Sequence, residues 1–329
     1  MHHANPRARN ALKPLAAAIV SASLMLPGLA PAKGTNRVFV TNEKSNTVSV
    51  FDANTLKMVG TVEIGDRPRG IGISPDGSEV YVAISEDDAI AVLDPETLEV
   101  LRTFDGGDDP ETFDVHPNGN IYISNEDDAK ASVINPKSGE LVDTIKVGIE
   151  PEGVAASPDG KWVVVTSEST SMLHFIQVPE HTIKHNVVVG ARPRSAVFNA
   201  DSTKVYATSE ISGEVKVIDV ATGKIEQKAY LGDDKAKPME IKLSNDQTRL
   251  FVAGGRANKV FVMDAGTLEV IKAIPVGKRV WGLAMTADGK RLFSTDGPDD
   301  QVSVIDTETL EVIGTVKVGA MPWGVVVDS

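Results

Sequence analysis

A repeated unit of about 42 residues fills most of this 329-residue chain and constrains its fold more than any other feature. Successive copies are 42, 41, 42, 42, 45 and 42 residues apart, and they begin at Val38, Val80, Ile121, Val163, Val205, Leu250 and Leu292. Each copy has the pattern of four short strands separated by turns, without the 3.6-residue period of a helical repeat. Because repeats of about 40–45 residues with four strands are typical of propeller blades, we predict an all-β fold, a single seven-bladed β-propeller.

Two kinds of connection within the unit predict two different faces of the ring. The Ser-Pro-Asp-Gly turns and the Asp-to-Thr turns, such as Asp94 to Thr97, are short and repetitive, and we place them on one face. The Pro-marked crossings before the inner strands and the loops between second and third strands belong to the other face, where the units differ. Binding residues usually lie on variable loops of a rigid frame, so we expect function on that second face.

The two ends of the repeat array indicate how the ring closes. The seventh unit stops directly after its inner strand, while Arg37–Thr41 supplies a second strand ahead of the first unit's third strand. We therefore predict that the N-terminal strand completes the last blade and removes the open seam of the ring.

The first 32 residues have the pattern of a secretory leader. Arg7, Arg9 and Lys13 precede an apolar stretch over 15–29, and Ala30-Pro31-Ala32 fits a small-residue cleavage site. We predict a cleaved signal peptide over residues 1–32 and a mature propeller over 33–329. Export implies a periplasmic protein with no membrane attachment after cleavage, and we expect a monomer.

Charge and cysteine content narrow the classes of function. The formal charge is −13, and removal of the leader would take away three cations and no acids. An acidic surface repels phosphate backbones, so broad nucleic-acid binding is disfavoured. The chain has no cysteine, which excludes disulfides and thiolate metal sites.

The variable face carries an unusual concentration of cations and tryptophans. The residues directly before and after the Pro of each crossing, or its equivalent, include the candidate ligand- or partner-binding residues Arg67, Arg69, Arg192, Arg194, Lys237, Arg279, Trp281 and Trp323. Arginine forks for carboxylates and indole faces for stacking would suit an anionic, planar ligand at the mouth of the axial channel. Alternatively, these cations pair with the acids of the same rim around a water-filled channel.

Other side chains offer weaker candidates for chemistry. Glu111, Glu152 and Glu240 are candidate bases for a hydrolase, and Glu240 stands where other units place Gly, Ser or Thr. The acidic loops at 86–88, 126–128 and 299–300 have oxygen ligands suited to Ca²⁺, but they lack the order of an EF-hand, which favours a solvated acidic rim. The histidines show no zinc- or copper-binding spacing, so no metal site is predicted.

Several repeats resemble a known family. Val80-Tyr81-Val82 and Ile121-Tyr122-Ile123, with Ser-Pro-Asp-Gly or its equivalent before them, resemble the YVTN family of β-propellers, and the tetrapeptide itself recurs loosely at Val38–Asn42 and Val205–Thr208. The resemblance covers 33–329, and the overall repeat is most similar to the PQQ-dependent catabolism-associated β-propeller proteins. This resemblance implies an exported, non-catalytic accessory to PQQ-dependent (quinoprotein) periplasmic oxidation, and it supplies no catalytic residues.

The resemblance also implies partners and leaves alternatives open. A periplasmic quinoprotein dehydrogenase, a cytochrome or a small anionic ligand is the expected partner, with PQQ or Ca²⁺ as bound ligands rather than prosthetic groups. Seven-bladed lactonases are similar in size but need a His/Glu/Arg cluster, and the predicted rim has Glu and Arg without His. Single-stranded DNA binding is opposed by the charge, although the rim arginines and tryptophans would suit it.

Overall fold

The computed structural model describes Met1 and residues 34–329. The predicted signal peptide and its cleavage site lie outside the described residues, so both remain predictions. Among the residues described, no helix has the length and apolar character needed to cross a membrane.

The described chain forms seven antiparallel sheets of four strands each, as the repeat predicted. The strands of the first half are β1 (Arg37–Asn42), β2 (Thr47–Asp52), β3 (Met58–Glu63), β4 (Pro68–Ile73), β5 (Val80–Ile84), β6 (Ala89–Leu93), β7 (Val100–Asp105), β8 (Pro110–Val115), β9 (Ile121–Asn125), β10 (Lys130–Asn135), β11 (Glu140–Lys146), β12 (Pro151–Ala156), β13 (Trp162–Ser167) and β14 (Met172–Gln177). Those of the second half are β15 (Thr182–Val188), β16 (Pro193–Phe198), β17 (Lys204–Ser209), β18 (Glu214–Asp219), β19 (Ile225–Tyr230), β20 (Ile241–Leu243), β21 (Arg249–Ala253), β22 (Lys259–Asp264), β23 (Val270–Pro275), β24 (Val280–Met285), β25 (Arg291–Asp296), β26 (Gln301–Asp306), β27 (Glu311–Lys317) and β28 (Pro322–Asp328). Two 3₁₀ turns, Ser85–Asp87 and Gly297–Asp299, complete the regular elements.

Blades are numbered here from the one that closes the ring. Blade 1 contains β28, β1, β2 and β3, and blades 2 to 7 contain β4–β7, β8–β11, β12–β15, β16–β19, β20–β23 and β24–β27, each counted from the inner to the outer strand. In blade 1, β1 lies between β28 and β2, with Val38 opposite Val327 on one side and opposite Phe51 on the other. The predicted closure by the N-terminal strand is confirmed.

Apolar side chains from the middle strands form the core between neighbouring blades. Phe51 of blade 1, for example, meets Phe293 of blade 7 edge to face, with ring centroids 5.8 Å apart. Both rings are buried, whereas the outer strands expose residues such as Val100 and Leu101. Each blade therefore buries its two faces against its neighbours, and the ring has no single central core.

The inner strands mostly begin at the Pro position of the crossing, and not after the crossing as predicted. Five of them start at the Pro of the crossing itself, and pairing with the second strand then skips two residues, as between Pro68 and Ile71. The same irregularity recurs after Pro110, Pro151 and Pro193 and after Val280, which occupies the proline position of blade 7. A bulge of this kind releases side chains from the regular alternation of a strand, which here frees the residue that follows the Pro.

Close backbone contacts between blades hold these bulges in place. The Thr41 hydroxyl donates to the carbonyl of Arg69 at 2.7 Å, and Thr208 and Thr295 make the same 2.7 Å bond to the carbonyls of Met239 and Trp323. Thr41 and Thr208 are the threonines of the YVTN-like tetrapeptides. The threonine of the motif therefore positions the backbone of the next blade's crossing.

Candidate functional site

The crossings that lead into the inner strands have a strained backbone. The residue before the Pro position has positive φ in six of the seven blades, at Arg67, Asp109, Glu150, Arg192, Arg279 and Met321. Non-glycine residues adopt this region rarely, so the surrounding structure must stabilise it. Asp88 Oδ1 accepts from the amide of Asp109 at 3.0 Å, and Asp300 Oδ1 accepts from that of Met321 at 2.9 Å. Two acidic loops thus have a structural role at the rim.

One residue from each blade follows the Pro position. In order around the ring, starting at blade 1, these are Trp323, Arg69, Glu111, Glu152, Arg194, Met239 and Trp281. Two adjacent glutamates are therefore flanked by an arginine on each side, and the tryptophans lie beyond them. We call this set the rim ring.

The first charged cluster joins blades 1, 2 and 3. Arg69 pairs with Glu111 and lies 3.3 Å from Glu43, while Arg67 lies 3.3 Å from both Asp109 and Glu111. The Glu111 side chain is fully buried. Both arginines predicted here are therefore already neutralised by carboxylates.

The second charged cluster joins blades 4 and 5. Arg194 lies 2.8 Å from Glu152, 2.5 Å from Glu168 and 2.8 Å from Glu210, and its side chain is only 10% exposed. Arg192 also contacts Glu168, at 2.5 Å. Four of the six predicted rim cations thus pair with acids. This is the alternative in which the cations of the rim are neutralised by acids of the same rim.

Sequence reasoning missed three of these acids, Glu43, Glu168 and Glu210. A glutamate follows the second strand by one or two residues in five units, at Glu43, Glu86, Glu126, Glu168 and Glu210. The corresponding residues of blades 6 and 7 are Gly255 and Gly297. The recurrence is visible in the sequence, but only the assembled ring shows that Glu43 and Glu168 reach the crossing of the next blade and that Glu210 reaches the crossing of its own blade.

Burial raises the pKa of two carboxyl groups in these clusters, those of Glu168 and Glu111. It raises the pKa of Glu168 to about 7, and repulsion from Glu152 adds to the effect although Arg194 and Arg192 oppose it. Burial, followed by repulsion from Glu152, also raises the pKa of Glu111 well above its usual range. For Arg69 desolvation favours loss of the proton, but Glu111, Glu152 and Glu43 outweigh it and raise its pKa.

This shift predicts a specific pH dependence of stability. Because folded Glu168 keeps its proton up to about pH 7 while the unfolded group, with a pKa near 4.5, has lost it, the folded state binds more protons in that window. The free energy of unfolding should fall as pH rises from about 4.5 to 7, and Glu168→Gln should remove part of the fall. Urea unfolding midpoints across this range would measure it, with exposed Glu96→Gln as the control. Equal slopes for wild type and Glu168→Gln would contradict the prediction.

An aromatic and basic surface occupies the other side of the rim. Trp281 and Trp323 stack with ring centroids 6.2 Å apart and an interplanar angle of 29°. The guanidinium carbon of Arg279 lies 4.6 Å from the Trp281 ring centroid, and that of Arg69 lies 5.5 Å from Trp323. These distances are in the range of cation–π contacts. Trp281, Trp323 and Arg279, all predicted site residues, are therefore together.

The cations on this side lack acidic partners. Among the residues that the structure describes, no carboxylate lies within ion-pair distance of Arg279, Arg256 or Lys237. Partial desolvation lowers the pKa of Arg279, and the positive charge of Arg256 lowers it further. Sequence reasoning missed Arg256, although it is a basic residue at the loop position where other units have Asp87 and Asp127.

Two predicted residues lie outside both clusters. Lys237 is in the connection between β19 and β20, where its amide donates to the carbonyl of Gly254 at 3.0 Å. Glu240 pairs with Lys242 at 2.9 Å and accepts from the hydroxyl of Ser195 at 3.2 Å. Burial alone would lower the pKa of Lys242, but Glu240 and Asp114 raise it. Glu240 is thus engaged with an inner-strand lysine.

One group of acids has the spacing of a metal site. Oxygens of Asp109, Glu111 and Glu126 lie within 4.8 Å of one another. Arg67 is 3.3 Å from the first two, and Arg69 pairs with Glu111. Two guanidinium charges at this distance disfavour a divalent cation, although carboxylate oxygens themselves suit Ca²⁺.

Two family models match different parts of the chain. Residues 9–129 match the model of the YNCE-like β-propellers, and residues 153–313 match the model of the seven-bladed β-propeller lactonases. Both models describe β-propellers, in agreement with the seven four-stranded sheets of the described chain. No curated protein matches the sequence of this propeller.

Solved structures with the same fold are distant in sequence. Hydrazine synthase from Kuenenia stuttgartiensis superposes with a TM-score of 0.76 at 20% identity, covering 83% of this chain and 92% of the other. A functionally unknown protein from Desulfotomaculum acetoxidans has a TM-score of 0.79 at 15% identity, covering 89% and 99%. A provisional 6-phosphogluconolactonase from Bacteroides fragilis has a TM-score of 0.76 at 20% identity, covering 89% and 98%. At these identities the similarity concerns the fold of the propeller alone.

Proposed function

We propose that this propeller is a binding protein that holds a planar anionic ligand against Trp281 and Trp323. The observation that carries the proposal is Arg279, which lies 4.6 Å from the Trp281 ring and has no carboxylate partner among the described residues. A stacked indole pair offers a flat apolar face, and an unpaired guanidinium beside it offers two donors to a carboxylate.

The paired arginines have a different role in this proposal. Arg69 and Arg194 already contact two or three carboxylates each, so a ligand would have to displace those acids to bind them. They fix the positions of the glutamates and flank the two tryptophans. Arg279, Arg256 and Lys237 are the cations that remain for the charge of a ligand.

The finer proposal is an accessory role in PQQ-dependent periplasmic oxidation. PQQ is a planar tricarboxylate, so its chemistry suits an indole face with several unpaired cations beside it. The resemblance to the PQQ-dependent catabolism-associated proteins supports this choice of ligand. We propose that a quinoprotein dehydrogenase or a cytochrome binds the channel mouth, with or without PQQ bound there.

Isothermal titration with PQQ and with benzene-1,3,5-tricarboxylate tests the proposal. We expect Arg279→Ala to weaken binding at least tenfold, about 1.4 kcal/mol, because the mutant loses a charge-assisted contact. Lys278→Ala is the matched control, since this neighbouring lysine is 69% exposed and pairs with Asp299. Equal affinities for the two variants would contradict the site, and binding of single-stranded oligothymidylate but neither carboxylate would favour the nucleic-acid alternative.

A lactonase-like hydrolase is the second candidate. The match of 153–313 to the lactonase model favours it, as does Glu168, a buried mouth carboxyl with a pKa of about 7. A carboxyl that titrates near neutral pH suits general acid–base catalysis. Turnover of a lactone by the wild-type protein would support this candidate.

A further inference from the structure

We infer that the ligand of this mouth carries two carboxylates, which take the places of two glutamates that blades 6 and 7 lack. The inference rests on the ligand site proposed above and specifies its chemistry, since an aromatic dicarboxylate should bind and a similar monocarboxylate should bind only weakly. Two equivalent crossings of the ring, those that lead into blades 5 and 7, differ in the acids that surround them.

The crossings into blades 5 and 7 have equivalent backbones. Arg192 and Arg279 precede the Pro position in these crossings, and both have positive φ, at 55° and 50°. The carbonyl of Arg192 accepts from the amide of Glu210, and the carbonyl of Arg279 accepts from the amide of Gly297. The two arginines therefore begin at equivalent points of the ring, so that their surroundings can be compared directly.

Two glutamates neutralise the arginine of the crossing into blade 5. Glu168, from blade 4, lies 2.5 Å from Arg192, and Glu210, from blade 5, lies 3.7 Å from it. The same two carboxylates contact Arg194, at 2.5 and 2.8 Å. Two neighbouring carboxylates are thus the partners of this crossing where the repeat supplies them.

Glycine replaces both glutamates around Arg279. Gly255 of blade 6 stands at the position of Glu168, and Gly297 of blade 7 stands at the position of Glu210. Over the part of the chain that the structure describes, no carboxylate lies within ion-pair distance of Arg279. The crossing into blade 7 therefore keeps its cation and lacks both of the acids that would neutralise it.

A side chain that offers donors lies where each missing acid would begin. The Cβ of a residue at position 255 would lie 2.9 Å from the Cβ of Lys237, so a lysine side chain starts in that place. The Cβ of a residue at position 297 would lie 3.2 Å from Trp281 Nε1, an indole N–H donor. An ammonium, an indole N–H and the guanidinium of Arg279 together suit two carboxylates from outside the chain.

Charge and shape favour a flat ligand with more than one negative charge. Partial desolvation and the positive charge of Arg256 both lower the pKa of Arg279, which shows that these neighbouring cations repel each other. Each added carboxylate relieves part of this repulsion. Trp281 and Trp323 stack with centroids 6.2 Å apart, and their flat faces suit carboxylates held in the plane of an aromatic ring.

Isothermal titration of the wild-type protein with benzene-1,3-dicarboxylate and with 3-carbamoylbenzoate tests the inference. The two compounds have the same ring and nearly the same shape, but the second has an uncharged amide in place of one carboxylate. We expect benzene-1,3-dicarboxylate to bind about tenfold more tightly or better, because only the dianion replaces both missing acids.

Gly297→Glu restores one missing acid, and Gly297→Gln is the matched control of similar size without the charge. Position 297 accepts a side chain if Trp281 shifts slightly, whereas Gly255 has φ of 54° and a side chain there would overlap the carbonyl of Lys237. We expect Gly297→Glu to pair with Arg279 and to reduce the preference for the dicarboxylate to about twofold or less. Gly297→Gln should retain the preference.

The outcomes separate this inference from the proposed function. Equal affinities of the wild-type protein for the two compounds would overturn the inference while leaving a site for planar anions, whereas no binding of either compound would remove that site as well. A preference that Gly297→Glu retains, or one that Gly297→Gln loses equally, would overturn the assignment of a ligand carboxylate to the place of the missing glutamate at 297.

Discussion

Replacement of Phe39 by alanine is expected to lower the free energy of unfolding by about 3–5 kcal/mol, the usual cost of removing a buried aromatic ring. Phe39 is fully buried on β1, and it pairs with Val50 on β2 and Val326 on β28. Besides leaving a cavity, the substitution weakens the strand that joins the two ends of the propeller. Urea unfolding followed by circular dichroism measures the effect.

Leu101→Ala is the matched control for this substitution. Leu101 lies on the outer strand β7 and is 47% exposed, so its replacement removes little buried area. We expect a change below about 0.5 kcal/mol for such a surface position. If the two substitutions destabilised the protein equally, the closing strand would not be critical to the ring.

The second large effect is expected at Arg194. Arg194→Met leaves Glu152, Glu168 and Glu210 without the cation that all three contact, and loss of one partner from a buried ion pair typically costs about 3–5 kcal/mol. The decrease in the free energy of unfolding should be smaller at pH 5 than at pH 8, because Glu168, with a pKa of about 7, is protonated at the lower pH.

Arg102→Met separates this effect from the removal of any ion pair. Arg102 lies 2.6 Å from Glu79, but its side chain is 34% exposed. Such partly solvated pairs contribute about 1 kcal/mol or less. Unfolding curves of both variants at the two pH values test this prediction. If Arg194→Met lowered the free energy of unfolding no more than Arg102→Met does, the result would contradict a buried cluster.

The residues of the channel mouth fall into two groups, one structural and one available to a ligand. The arginines that pair with buried glutamates stabilise the rim, whereas Arg279 and the tryptophan pair are open to a ligand. A substitution at Arg194 would therefore affect folding and binding together. A substitution at Arg279, which is exposed and has no acidic partner among the described residues, should affect binding alone.

The repeat was sufficient to predict the architecture. Four strands per unit, the short turns and the second strand supplied by Arg37–Thr41 are local patterns, and each is repeated or complemented elsewhere in the chain. Seven copies of one pattern reinforce a single interpretation. The places where strand prediction was inaccurate are the bulges after Pro68 and its equivalents, which depend on pairing with the next strand.

The site was predicted only in part. The sequence identified the rim residues that directly precede or follow a recognisable Pro position, namely Arg67, Arg69, Arg192, Arg194, Trp281 and Trp323. Their partners Glu43 and Glu168 come from the preceding blade and Glu210 comes from the same blade as Arg194. The separations along the chain run from 16 residues for Arg194–Glu210 to 26 for Arg69–Glu43. Nothing local in the sequence says which side chains meet across a blade boundary.

The sequence by itself therefore determined the number of blades, the strand order and the face that carries the variable residues, because these follow from periodicity and turn chemistry. Only the tertiary structure decided which charges are neutralised and which remain unpaired. Ion pairing depends on distances of a few ångströms between residues of different blades. Those distances are set by closure of the ring and by the bulges of its inner strands.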